Sequence, residues 1–108
     1  MGRLQNVWAY QASKAGVESL RRTFAVSCGS KGIRFNCIAP GSMSALMKGA
    51  AAEVRKASGG SEGMAKMNPT GRLVDAEEIG SAAAFLCTDA AVSITGVVLP
   101  VDGGLRAT

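Results

Sequence analysis

The sequence predicts an α/β fold that forms part of a doubly wound parallel sheet. Three features of the 108 residues carry this. An amphipathic helical pattern runs through a four-residue glycine-containing loop into an alternating strand. A second, clearly capped helix leads to a second apolar strand. Strands separated by a helical crossover are expected to be parallel and linked right-handedly. Two parallel strands with about four helices cannot cover both faces and edges of a sheet, so the pattern describes part of a larger layered structure.

The first helix is expected from Ala9 to about Cys28. Val17, Leu20, Phe24 and Cys28 recur three and four apart as its inward stripe, opposite Glu18, Arg21 and Arg22. Gly29-Ser30-Lys31-Gly32 stops it. In Ile33–Ala39, alternate residues Ile33, Phe35, Cys37 and Ala39 are apolar, which predicts a strand ended by Pro40-Gly41. Residues 42–70 have a different texture. Four of the five methionines (Met43, Met47, Met64, Met67) fall here, with an Ala-rich helical stretch from about Ser44 to Ala57 and a break at Gly59-Gly60-Ser61. Such a segment reads either as a mobile apolar cover or as an ordinary packed helical hairpin. After Asn68-Pro69, Asp75 and Glu78 form a capping box for a helix reaching Cys87-Thr88, with Ile79, Ala82, Ala83 and Leu86 facing inward and Phe85 beside them. Val97–Val101 is the second strand, and Asp102-Gly103-Gly104 turns out of it.

Composition narrows the chemistry. With 47% apolar and 19% charged residues the chain is ordinary for a folded protein. It has no histidine, which removes the commonest general base and metal ligand, so any acid or base is Tyr, Lys, Asp, Glu or Cys. Cys28, Cys37 and Cys87 are odd in number and widely spaced, with no C-x-x-C pair. They read as buried free thiols in a reducing compartment, with no metal site. The net charge of +4 is uneven: residues 1–60 carry nine Lys/Arg and two Asp/Glu, residues 61–108 three and six. The basic residues are neither clustered nor interleaved with aromatics, so a solvated helix face is expected and not a nucleic-acid surface. No leader or membrane-length apolar run is present, and the expected location is cytoplasmic.

Tyr10 and Lys14 are the residues with chemical potential. Four apart on a helix, they stand one above the other on one face. A nearby cation favours a phenolate over a phenol. Bringing a phenol from about 10 to about 7 takes about 4 kcal/mol, the order of interaction of two unit charges about 4 Å apart at an effective dielectric of about 20. The pair is physically sufficient for acid/base work near neutral pH. On its own the spacing equally describes two exposed helix residues.

The surrounding residues resolve that ambiguity. Tyr10-Gln-Ala-Ser-Lys14-Ala-Gly-Val closely resembles the active-site helix of the short-chain dehydrogenase/reductase family. Ile33–Gly41 resembles its sixth strand and the following Pro-Gly turn. Gly71-Arg72 and Asp75–Ile79 resemble the entry to its last long helix, with Ala76 where members often have Pro, and Thr95–Gly104 resembles its seventh strand and terminal turn. The resemblance implies a Rossmann-like sheet, of which this chain is the C-terminal part, with residues 42–70 as substrate cover. It implies NAD or NADP as cofactor and a small alcohol or carbonyl substrate, apolar by the content of the cover. Tyr10 would then be the acid/base and Lys14 the ligand of the nicotinamide ribose. Pro40, Gly41, Ser42 and Met43 would line the nicotinamide, with the Met43 backbone near its carboxamide.

Three departures accompany the resemblance. Ala45, beside Ser44, stands where the family commonly places a carboxamide-holding Thr. The family's catalytic serine, thirteen residues before the tyrosine, and its asparagine have no counterpart here. The fourteen glycines include no G-x-G pair, so the phosphate-binding fingerprint is not among these residues. The chain is therefore expected to be truncated and weakly active or inactive alone. The alternative is a non-catalytic interaction fragment, the family's full-length form being a homo-oligomer. Neither nucleic acid nor membrane is expected as a partner.

Overall fold

The computed structural model describes residues 5–44 and 55–108. Helix α1 spans Gln5–Cys28, four residues longer at its start than the periodicity predicts, since Gln5–Trp8 contains no glycine or proline to break it. It closes through a 3-10 turn at Gly29–Lys31. Gly32 takes φ 73°, its N–H donates to Gly29 C=O at 3.0 Å, and Ile33 N–H donates to Cys28 C=O at 3.3 Å. This paired closure satisfies carbonyls that the helix end leaves open, and the left-handed residue is one only glycine adopts without strain.

Strand β1 is Cys37–Pro40, not Ile33–Ala39. Residues 34–36 bond instead to the loop before β2. Arg34 and Asn36 donate to Ile94 C=O at 3.0 and 2.9 Å, and Phe35 N–H donates to Thr95 Oγ1 at 3.1 Å. Pro40 closes the strand from within it. Cys37 N–H donates to Val97 C=O and Gly41 N–H to Val101 C=O, so every second residue faces β2 and Pro40, with no N–H, falls on the other edge. These bonds advance together along both strands, which makes β1 and β2 (Val98–Val101) parallel, as expected.

Helix α2 (Gly60–Met67) begins where the sequence reads as a break: Gly59 and Gly60 take positive φ, and the helix starts directly from them. The expected helix from Ser44 lies mostly outside the described residues; Arg55–Ala57 are helical. Helix α3 (Ala76–Leu86) starts from Asp75 as the capping box predicts and stops one residue short of Cys87.

The chain divides into two compact units, Met1–Cys37 with Val92–Val98 and Ile38–Ala91 with Leu99–Thr108. In the first, Ala25 is the buried apolar residue of α1 among the described residues. Gly96 packs there, a Cβ on it falling 3.3 Å from that of Ala25, and the Phe24 and Phe35 rings lie 5.1 Å apart. The expected inward stripe is not buried: Val17, Leu20 and Phe24 stay exposed and flank an open groove of about 300 Å³. Two short segments are too small to cover a 24-residue helix. In the second unit Met64, Val74, Leu86 and Ala91 form the core, alongside buried Ser42, Asn68 and Asp102. Met64 therefore serves packing, while Met67 is exposed. The cysteines are all free, but Cys28 and Cys37 are only half-buried and Cys87 is exposed, because it caps α3 after its last inward turn.

Candidate functional site

The candidate residues fall in both units. In the first, α1 places Tyr10 and Lys14 one turn apart, with Lys14 Nζ 5.4 Å from the Tyr10 ring centroid. That is within cation–π range, although at an exposed position such a contact contributes little to stability. Tyr10 is 63% exposed and Lys14 is exposed too, so both polar ends are accessible. Ser13 Oγ donates to Tyr10 C=O at 2.7 Å, a bond within the helix turn that carries the tyrosine. Helix periodicity alone produces this arrangement: a long, straight-chain cation four residues after an aromatic on one face.

In the second unit, Pro40, Gly41, Ser42 and Met43 leave β1 in an extended turn held from both sides. Gly41 N–H donates to Val101 C=O at 3.0 Å. A Cβ on Gly41 would lie 2.6 Å from Asp102 Cα and 2.8 Å from its carbonyl oxygen. The glycine thus lets this turn pack on the terminal one, a reason for it that stands beside any close approach to a ligand. Met43 forms a parallel bridge with Val74: Val74 N–H donates to Ser42 C=O at 2.8 Å and Ser44 N–H to Val74 C=O at 3.0 Å. In that geometry Met43's own N–H and C=O face the opposite edge, and neither has a partner among the described residues.

A donor and an acceptor side by side on one extended residue fit a primary carboxamide, which offers the matching acceptor and donor. The turn therefore suits the amide of a nicotinamide. Ser44 has its hydroxyl proton committed elsewhere, donating to Asp75 Oδ1 at 2.7 Å. Ala45 and Met47 lie outside the described residues, as does much of the expected substrate cover.

The loop before α3 is fixed electrostatically. Arg72 donates to both Glu78 carboxylate oxygens at 2.8 and 2.6 Å, and Asp75 N–H donates to the same carboxylate at 2.9 Å. The guanidinium first and the backbone N–H second pull Glu78 from its usual 4.5 down to about 2. Buried Asp102 accepts from Gly104 N–H at 2.9 Å and Arg106 N–H at 3.0 Å, which ties down the terminal turn. Among the described residues no group of three or more Cys, Asp or Glu could hold a metal ion, and no helix is long and apolar enough to cross a membrane. The residue that sequence reasoning passes over is Asn68. Its signal is the Asn-Pro-x-Gly pattern of a tight turn, which says nothing about where its side chain goes.

The chain is similar to known dehydrogenases and reductases. A family model described as enoyl-(acyl carrier protein) reductase matches residues 2–106. The cis-4-hydroxycyclohexanecarboxylate dehydrogenase of Sinomonas cyclohexanicum is 44% identical over 103 residues, 94% of this chain and 39% of that protein. A solved oxidoreductase of the short-chain dehydrogenase/reductase family from Burkholderia thailandensis superposes with a TM-score of 0.79 at 39% identity, covering 93% of this chain and 39% of that one. A solved structure from Agrobacterium tumefaciens with bound NADP superposes with a TM-score of 0.77 at 34% identity, over 92% and 39%. The chain spans about two fifths of the length of the relatives it matches.

Proposed function

The chain belongs to the short-chain dehydrogenase/reductase family, and from that membership we propose that it supplies the acid/base helix and the nicotinamide-facing turn of an NAD(P)-dependent oxidoreductase. The observation that carries this reading is the Tyr10–Lys14 pair on one exposed face of α1. NAD(P)H, when bound, supplies the hydride for the carbonyl carbon. The Tyr10 hydroxyl gives its proton to the carbonyl oxygen, and accepts one when an alcohol is oxidised. Lys14 donates to ribose hydroxyls. Pro40, Gly41, Ser42 and Met43 line the nicotinamide, with Met43 N–H and C=O on its carboxamide. The substrate is a small alcohol or ketone with an apolar body; one relative is named for an alcohol on a cyclohexane ring that also bears a carboxylate. The setting is cytoplasmic.

These residues hold two members of the catalytic set and no glycine-rich phosphate loop. On its own, the 108-residue chain turns over barely above background. Assaying the purified chain for NADH- and NADPH-dependent reduction of cyclic ketones tests this, with Tyr10→Phe as control. Weak turnover that Tyr10→Phe removes supports the reading. Robust turnover lost in Tyr10→Phe keeps the chemistry but sinks the weak-alone expectation, and turnover that survives Tyr10→Phe removes the acid/base role.

A second reading, a non-catalytic fragment that pairs with itself or with a complete subunit, is favoured by one observation. Trp8, Val17, Leu20, Phe24 and Val26 leave α1 apolar and exposed over much of its length. A single monomeric boundary in sedimentation at high concentration counts against it.

A further inference from the structure

Asn68 is the largest fully buried side chain among the described residues, 1% exposed, and it is polar. Burying an amide is costly unless its bonds are made. Here both Nδ2 protons are used, donating to Ser42 C=O at 3.3 Å and Arg72 C=O at 2.8 Å, and Oδ1 accepts from Ser42 N–H at 3.4 Å. The side chain thus takes both peptide groups of one residue, as a neighbouring strand would. Its own backbone is equally fixed. Asn68 N–H donates to Ala65 C=O at the end of α2, and its C=O accepts from Gly71 N–H at 2.7 Å across the turn containing Pro69. Gly103 packs against its Cβ, where an added Cβ would come within 3.1 Å.

We propose that Asn68 is a positioning residue for cofactor recognition: by holding Ser42 through its N–H and C=O, it sets the direction in which Met43 presents its free N–H and C=O to a nicotinamide carboxamide. Every partner of the Asn68 side chain is backbone, so the amide acts on the path of the chain and not on any particular side chain. Val74 bonds Ser42 and Ser44 from the adjoining segment, and Asn68 is the group that holds the Ser42 peptide from inside the unit. An apolar residue of similar volume would fill the space but leave Ser42 N–H buried with no acceptor. This inference rests on the reading that the turn after β1 faces the nicotinamide.

The test uses the full chain and two probes, reduced nicotinamide mononucleotide and its 3-acetylpyridine analogue. Neither needs a pyrophosphate or adenine site, and only the first has an amide N–H to donate. Binding is followed by emission of the reduced pyridine ring. The wild-type chain is expected to prefer the amide probe about tenfold, the worth of one well-placed hydrogen bond. In Asn68→Ala and the milder Asn68→Ser, the preference falls to about one while cooperative melting persists. Equal preference in wild type and variants overturns the inference and leaves the proposed function standing. Binding of neither probe to the wild-type chain overturns both. If neither variant melts cooperatively, Asn68 holds the unit as a whole and not the aim of one turn, and the assignment is overturned.

Discussion

Helix α1 and the turn network around Ser42 bring their chemistry to bear in opposite ways. On α1, Tyr10 and Lys14 are placed by helix geometry alone, on a helix where Trp8, Val17, Leu20, Phe24 and Val26 remain exposed and Ala25 is the buried apolar contact among the described residues. Around Ser42, each group is placed by partners far away in sequence: Asn68, Val74, Val101 and Asp102. A local arrangement survives most substitutions around it, because it depends on backbone dihedrals within one turn. A long-range one fails when any of its contacts is disturbed, because its peptide groups are then left buried without partners.

The most severe break is expected from Gly41→Ala. The new methyl meets backbone atoms of Asp102 at 2.6 and 2.8 Å, and backbone cannot step aside as a flexible side chain can. We expect a loss of about 3 kcal/mol, a fall in melting temperature on the order of 15 °C. A fall of only a degree or two would show the terminal turn to be as forgiving as α1.

A smaller effect follows from acid. Glu78 has its folded value depressed to about 2 from 4.5, so its contribution is fully present above pH 4.5 and is lost as pH falls towards 2. Urea midpoints measured at pH 6, 4 and 3 should decline through that window in the wild type and decline less in Glu78→Gln. Parallel curves would remove the Arg72–Glu78 clamp from the account. The effect is modest, since both side chains are solvent-accessible.

The least disruption is expected on α1. Val26→Ser, at a position 85% exposed, and Tyr10→Phe should each change stability by less than about 0.5 kcal/mol in thermal melts. A large loss from Val26→Ser at high protein concentration, absent on dilution, would mean that this face is covered by a second copy.

How much was legible in the sequence follows the same division. The Asp75–Glu78 cap, the Gly32 stop and the facing of Tyr10 and Lys14 depend on residues a few positions apart, the parallel direction of the strands follows from the helical crossover between them, and the structure bears these out. Strand β1 starts at Cys37 and not at Ile33, because alternation in Ile33–Cys37 does not say whether Arg34 and Asn36 bond a ladder or a loop. Helix α2 fits the second limb of the packed helical hairpin, one of the two readings of residues 42–70, but it starts from the very Gly-Gly pair that the sequence reads as a break, because glycines with positive φ can also launch a helix. Cys87 looked buried because its neighbours are apolar, but apolar neighbours in sequence point to different faces of a helix.

Residue order alone therefore determined the helix that carries Tyr10 and Lys14, the presence of two strands and their direction, and the Pro40-Gly41 turn after β1. The elements follow from dihedral preference and periodicity, which act over a few residues, and the strand direction follows from the helical crossover that joins them. The tertiary structure decided that Gly41 packs on Asp102, that Met43 turns its own N–H and C=O to the edge away from Val74, and that Asn68 is buried holding Ser42. The physical reason is that buried peptide groups must each find a partner, and across 26 residues from Ser42 to Asn68 only the folded chain selects which one.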